Sequence, residues 1–286
     1  MDIKETRISD TIERIRKDPS KILFFSDMDG TLLSKDKKLS EKNMTAIRSL
    51  VDRGGKFIVA TGRVIQATRH YFRPMGLDLP CILCNGGMIY DCAQNKVMWS
   101  RSIDTKLARR HIRQLLDAFP DVCAEICTPD CIYDVQINEE EKAHWKMAGF
   151  TAEIMDSLDD VPDGEWSKVL FAVNEKRIPA FAEYCMTLEG YEKAEYVTSG
   201  HIFHEMLPKN CTKGDAMQRL IDIYGLQDCF TVAMGDYDND VEMLENAHLA
   251  ACPVSARDSV KKVSDIITDT DNDGGSVADV IDLLLD

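Results

Sequence analysis

No stretch of the 286 residues approaches the roughly 18–20 consecutive apolar residues that a membrane-spanning helix needs. The opening segment, Met1 to Ser20, is polar and lacks the apolar core of a secretory signal. Positive charge is also scarce: 34 Lys and Arg face 49 Asp and Glu, a net charge of −15. Nucleic acids and anionic membranes reward Lys and Arg through counterion release and long-range attraction, so this balance excludes both as partners. Internal repeats and low-complexity segments are missing as well. The apolar fraction of 44% and charged fraction of 29% are those of an ordinary globular chain, long enough for one large or two modest domains. A cytoplasmic location is expected.

Cysteine is not scarce, with ten in the chain, but a metal framework around it is. Cys81-x2-Cys84 lies in an apolar run bounded by Pro80 and Asn85-Gly86-Gly87, which reads as a buried strand. Zinc would want a second paired set nearby, and neither Cys123-x3-Cys127-x3-Cys131 nor His201-x2-His204 supplies one. Residues 201–207 alternate as a strand does.

Apolar runs alternate with helical patterns in both halves of the chain. Ile22–Phe25, Phe57–Ala60 and Cys81–Cys84 read as strands, with helices over Glu41–Asp52 and from Val64 toward Phe72. Gly54-Gly55 stops the first helix; Pro74 and Gly76 are breakers for the second. Toward the other end, strands at Phe230–Met234 and Leu249–Cys252 alternate with helices over Asp215–Tyr224, Val241–Ala247 and Val277–Leu285. This order predicts an α/β fold: a doubly wound, Rossmann-like parallel sheet covered on both faces. The middle differs, with helices near 107–119, 139–148 and 178–188 and strands near 122–126, 131–135 and 169–173. We expect residues 103–196 to form an inserted α+β domain, residues 21–102 and 197–286 the core, and residues 1–20 an added helix with Ile8, Ile12 and Ile15 on one face.

The chemistry gathers at strand ends, where open α/β sheets bind ligands. The run Phe24-Phe25-Ser26-Asp27-Met28-Asp29-Gly30-Thr31 ends a buried strand in two carboxylates at i and i+2, which pleating points the same way. Such a pair forms either a metal site or a nucleophile with an acid/base partner; a turn-capping loop is the plainer alternative. Thr61-Gly62-Arg63 follows the second strand, Lys213 opens a helix, and Gly235-Asp236-Tyr237-Asp238-Asn239-Asp240 follows Phe230–Met234. A calcium EF-hand is excluded for that last loop, because position 12 counted from Asp236 is Ala247 rather than glutamate.

In order, Asp27-Met28-Asp29-Gly30-Thr31, Thr61-Gly62-Arg63, Lys213-Gly214 and Gly235-Asp236-x-x-Asn239-Asp240 resemble the four motifs of the haloacid dehalogenase superfamily. Asn85-Gly86-Gly87, with an insertion beyond it, resembles the Cof-type branch (type IIB) with its C2b cap, from about Lys21 to the C-terminus. Gly87 stands where that family usually has alanine, Cys252-Pro253-Val254-Ser255-Ala256 where it has Met-x-Asn-Ala, and residues 1–20 have no counterpart.

The resemblance implies a Mg2+-dependent phosphatase of small phosphorylated metabolites, sugar phosphates first. Asp27 would be the nucleophile, Asp29 the acid/base, and Thr61 and Lys213 would contact the transferring group. Asp27, Asp236 and the Asp29 carbonyl would hold the ion, with Asp240 behind Lys213 or a metal water. Met28, Gly62, Arg63, Asn85, Gly86 and Asn239 would complete the phosphate side, and Asp238 would be solvated. Tyr133, His144, Trp145 and Trp166 either face the substrate from the cap or pack its core. A phosphomutase like phosphomannomutase would instead transfer to a second sugar hydroxyl, and a weak phosphosugar-binding regulator would bind without turnover.

Overall fold

The computed structural model describes residues 3–75, 80–199 and 201–286. Two compact units emerge: Met1–Gly62, Thr68–Met98 and Thr212–Asp286 form the first, Arg63–Ala67 and Trp99–Cys211 the second. Among the described residues, no helix is long and apolar enough to cross a membrane.

The first unit carries strands β1 (Ile22–Ser26), β2 (Lys56–Val59), β3 (Pro80–Leu83), β4 (Met88–Asp91) and the start of β5 (Lys96–Ser100). After the insertion come β12 (Phe230–Met234), β13 (Leu249–Cys252) and β14 (Ile266–Ile267). Its main sheet is parallel, in the order β14-β13-β12-β1-β2. Every residue of β1 is buried, the pattern of a strand covered on both faces. Helices α1 (Ile3–Lys17), α2 (Glu41–Asp52) and α10 (Ser276–Leu285) pack as one group. Helices α7 (Lys213–Tyr224), α8 (Val241–Glu245) and α9 (Asp258–Val263) pack as another, giving the doubly wound core expected.

Helix α1 docks on this unit: Ile15 is fully buried, Ile8 and Ile12 partly, and the Arg16 guanidinium donates to the Leu283 carbonyl at 2.6 and 3.0 Å. Asn43, fully buried in α2, links three segments. Its amide donates to the Leu32 carbonyl at 3.0 Å and accepts from the Ala278 N–H at 3.0 Å.

Three local expectations change. The stretch after Val64 begins as a 3-10 turn, Ile65–Ala67, and α3 (Arg69–Met75) runs past Pro74; Gly76 lies outside the described residues. The third strand touches the parallel sheet through one bridge, Ala60 to Ile82, and otherwise pairs antiparallel with β4. Cys84 and Asn85 both take φ of 53°, which reverses the chain there and starts a β3-β4-β5 sheet the sequence reading did not contain.

The second unit is one six-stranded sheet in the order β10-β11-β9-β6-β7-β8, built from β6 (Cys123–Cys127), β7 (Ile132–Val135), β8 (Glu153–Met155), β9 (Lys168–Ala172), β10 (Ala194–Thr198) and β11 (Phe203–Pro208). Alternation divides its faces. Ala124, Ile126, Val169 and Phe171 share the apolar core with Ile112 and Leu115 of α4 (Thr105–Ala118) and Phe181 of α6 (Ile178–Cys185). Cys123, Glu125, Lys168 and Leu170 lie on the other face. This unit runs to residue 211 rather than stopping at 196, because β11 pairs antiparallel with both β9 and β10. It also takes in residues 63–67. Trp166 is core: it is fully buried, its indole donates to the Pro162 carbonyl at 3.1 Å, and Arg109 lies over its ring. Tyr133 packs against the same core.

Candidate active site

The site begins where β1 runs out. Its pairing continues one residue, with the Asp27 N–H donating to the Met234 carbonyl at 2.9 Å and the Ala60 N–H to Ser26 at 2.8 Å. Asp27 is therefore fixed between two parallel neighbours and is 6% exposed. The chain then turns through Gly30 at φ +85°. A Cβ on Gly30 would stand 2.3 Å from Asp236 Oδ2, so only glycine lets the loop pass this close to the loop after β12. Thr31 Oγ1 uses the approach to donate to Asp236 Oδ1 at 2.8 Å.

Lys213 opens α7, which is capped by the Thr212 hydroxyl accepting from the Asp215 N–H at 3.0 Å. Its ammonium is 1% exposed and donates to Asp27 Oδ1 and Asp240 Oδ1, each at 2.6 Å. Asp240 is held in turn: its Oδ2 accepts from the backbone N–H groups of Asp236 and Tyr237 at 3.0 Å. Both Asp240 oxygens are thus engaged by N–H donors.

Thr61, also buried, donates its N–H to the Ile82 carbonyl at 2.9 Å and accepts from the Asn85 N–H at 3.0 Å. Asn85 Oδ1 accepts from the Asn239 amide at 2.8 Å. A Cβ on Gly86, at φ +99°, would meet the Thr212 carbonyl at 2.1 Å, so this glycine seats the turn after β3 against the start of α7. Met28 is fully buried, and its carbonyl accepts from the Leu32 and Leu33 N–H groups. Gly62 closes the first unit's segment, while Arg63 belongs to the second unit and donates to the Ala67 carbonyl at 3.3 Å.

Two partnerships were not read from the sequence. Lys37 Nζ lies 2.7 Å from Asp29 Oδ1, brought there by the loop that folds back through the Leu33–Leu39 bridge. Asp238 is exposed, as expected of a solvated group, and also accepts from Arg257 and Ser259. Those contacts hold its carboxyl below the ordinary range.

The electrostatics favour a cation. Asp27, Asp236 and Asp240 offer carboxylate oxygens within 4.8 Å of one another. Burial pushes the Asp27 carboxyl well above the usual range; Lys213 pulls it down while Asp240, Asp236 and Asp29 push it further up. Burial and Asp240 raise Asp236 to about 6. Burial alone would lower the Lys213 ammonium, but Asp240 and Asp27 outweigh it and hold the group charged. Crowded hard-oxygen donors with this residual negative charge fit a divalent ion. With Asp240 committed to N–H donors, Asp27 and Asp236 are the carboxylates left to hold it.

A family model described as haloacid dehalogenase-like hydrolase matches residues 24–281. Two 5-amino-6-(5-phospho-D-ribitylamino)uracil phosphatases of Bacillus subtilis are similar to the chain. One is 26% identical over 254 residues, 87% of this chain and 92% of the relative. The other is 28% identical over 283 residues, 91% and 96%. A crystal structure from Thermotoga maritima superposes with a TM-score of 0.78 at 26% identity, covering 91% of this chain and 96% of that one. A subclass IIB sugar phosphatase shares the fold, with a TM-score of 0.77 at 20% identity over 92% and 97%. The chain belongs to the haloacid dehalogenase-like hydrolases, as a Cof-type phosphatase that hydrolyses phosphoric monoesters.

Proposed function

We propose that the chain is a cytoplasmic, Mg2+-dependent phosphatase of small phosphorylated metabolites, sugar phosphates first, working through an aspartyl-phosphate. The observation that carries this reading is the buried Lys213 ammonium shared between Asp27 and Asp240 at 2.6 Å. A purely binding protein has no use for a buried carboxylate aimed out of a strand end and poised by a fixed cation. The substrate class rests on the relatives: two bear the name of a phosphoribityl compound phosphatase, and one neighbour that of a sugar phosphatase.

An Asp27 oxygen attacks phosphorus in line; the P–O bond to Asp27 forms as the bond to the leaving alkoxide breaks. Asp29 gives its proton to that alkoxide, then takes one from the water that cleaves the aspartyl-phosphate and restores Asp27. Lys213 holds Asp27 in place and offsets negative charge on the transferring group. The Thr61 hydroxyl, at the adjacent strand end, donates to a phosphoryl oxygen. Asp240 keeps Lys213 oriented. Asp27, Asp236 and the Asp29 carbonyl would hold a Mg2+ ion, which would supply charge neutralisation for the phosphate.

Asp27→Asn tests the reading. Hydrolysis of p-nitrophenyl phosphate is expected to fall at least about 10⁴-fold with the circular dichroism spectrum unchanged. Substantial retained turnover would remove Asp27 as nucleophile. A panel of phosphometabolites with and without Mg2+ then ranks substrates, and transfer to a sugar hydroxyl exceeding transfer to water would favour a mutase.

A further inference from the structure

A second cluster of carboxylates lies within the second unit, on the sheet face opposite its apolar core. Glu125 of β6 and Asp134 of β7 are directly paired across the antiparallel ladder, so they share one face as immediate neighbours. Like charges in that relationship repel unless something stands between them. Helix α5 (Glu139–Ala148) adds Glu141 and, one turn on, His144. His144 Nδ1 lies 3.2 Å from Glu141 Oε1 and 3.5 Å from Glu125 Oε2. Glu125 is 1% exposed, and Glu141 and Asp134 are fully buried.

Hydrogen bonding inside the protein accounts for only part of these groups: Glu125 Oε1 accepts from the Cys127 thiol at 3.1 Å, and Glu141 Oε1 meets His144. Glu125 Oε2, Glu141 Oε2 and both Asp134 oxygens are buried without a hydrogen-bond partner. A buried carboxylate oxygen in that state costs several kcal/mol unless a cation or proton meets it. Lys168, which acts on Glu125, is ion-paired with Glu205 at 3.3 Å.

We propose that Glu125, Glu141 and His144 bind a divalent transition-metal ion, with Asp134 as a neighbouring carboxylate that supports the site without ligating it. The donor atoms of the three lie within 4.8 Å of one another. The 3.2 and 3.5 Å separations bracket the edge of a tetrahedron with bonds of about 2.1 Å, which is about 3.4 Å. One imidazole with carboxylates suits Zn2+, Co2+ or Mn2+ better than Mg2+. The site is distinct from the Asp27 centre in residues and in donor chemistry, and it needs no phosphatase activity to be detected. A cation here would tie β6 to α5 as a structural clamp.

The test uses the whole chain carrying Asp236→Asn, which weakens the all-oxygen centre, titrated with Co2+ after chelation. One equivalent of Co2+ is expected to bind with a visible ligand-field band of a nitrogen-containing site, and Zn2+ is expected to displace it. Adding His144→Gln is expected to abolish the band. If that variant fails to fold, Asp134→Asn serves, since it replaces the neighbouring carboxyl group without changing shape; it is expected to weaken Co2+ binding about 10–100-fold. No bound Co2+ in the Asp236→Asn protein would overturn the proposal. So would binding equally tight in the second-unit variants.

Discussion

Lys213 Nζ lies 2.6 Å from Asp27 Oδ1 with both groups buried, so neither charge can be removed without stranding the other. Lys213→Met leaves Asp27 and Asp240 facing each other in the absence of the ammonium. Turnover is expected to fall about 10²–10³-fold, as when a preorganised charge is removed. Loss of one partner from a buried pair is expected to cost about 3–5 kcal/mol in urea unfolding of the metal-free protein. Near-wild-type turnover would show that Lys213 only packs.

The strand ends that build this site were legible because each follows an apolar run, and the four segments together outweighed a turn-capping loop at the first. β1 is buried at every position, so its run had to end in a loop at one edge of the sheet. The contacts between motifs were not legible. Asn85 meets Asn239 across 154 residues, and nothing local to either announces it. Lys37 reaches Asp29 from a left-handed position at φ 57°, in a loop whose path depends on bridges at Leu33 and Leu39. The same limit moved the domain boundary. Residues 201–207 read as a strand, which the structure sets at 203–208, but alternation does not say which sheet a strand joins, and its partners β9 and β10 were a tertiary choice. The β3–β4 hairpin escaped because the turn between its strands uses Cys84 and Asn85, rather than glycine alone, at positive φ.

Removing metal separates the cation requirement from the rest of the site. Treatment with EDTA is expected to abolish hydrolysis while the fold persists, because the Asp27–Lys213–Asp240 bonds remain. Added Mg2+ is expected to restore turnover and raise the melting temperature. At a hundredfold excess over its dissociation constant the stabilisation is about 2.7 kcal/mol. Activity indifferent to EDTA would refute the Mg2+ assignment and leave the nucleophile assignment standing.

The N-terminal helix is expected to be an integral part of the first unit. Ile15 is fully buried, and Arg16 is tied to the carbonyl of Leu283 in α10. Ile15→Ala is expected to cost about 2–5 kcal/mol, the range for truncating a buried isoleucine. Differential scanning calorimetry measures it. An unshifted melting temperature would show α1 to be loosely attached.

His204 sets a pH dependence unconnected with catalysis. Its ring lies against Phe181 and Tyr196, with Nδ1 3.0 Å from the Thr198 hydroxyl. Burial holds the imidazole down to about 4, with Glu205 acting weakly the other way. Between pH 6.5 and 4 the unfolded chain takes up a proton that the folded chain refuses, so stability falls as pH falls through this window. Above pH 6.5 the group contributes nothing to the slope. The loss from this one residue reaches about 3 kcal/mol near pH 4. Urea unfolding at pH 7.5 and 4.5 is expected to show a smaller difference for His204→Gln than for the wild type. The His204 Cε1 proton is expected to show no titration down to about pH 5, whereas a midpoint near 6.5 would place the ring in contact with water.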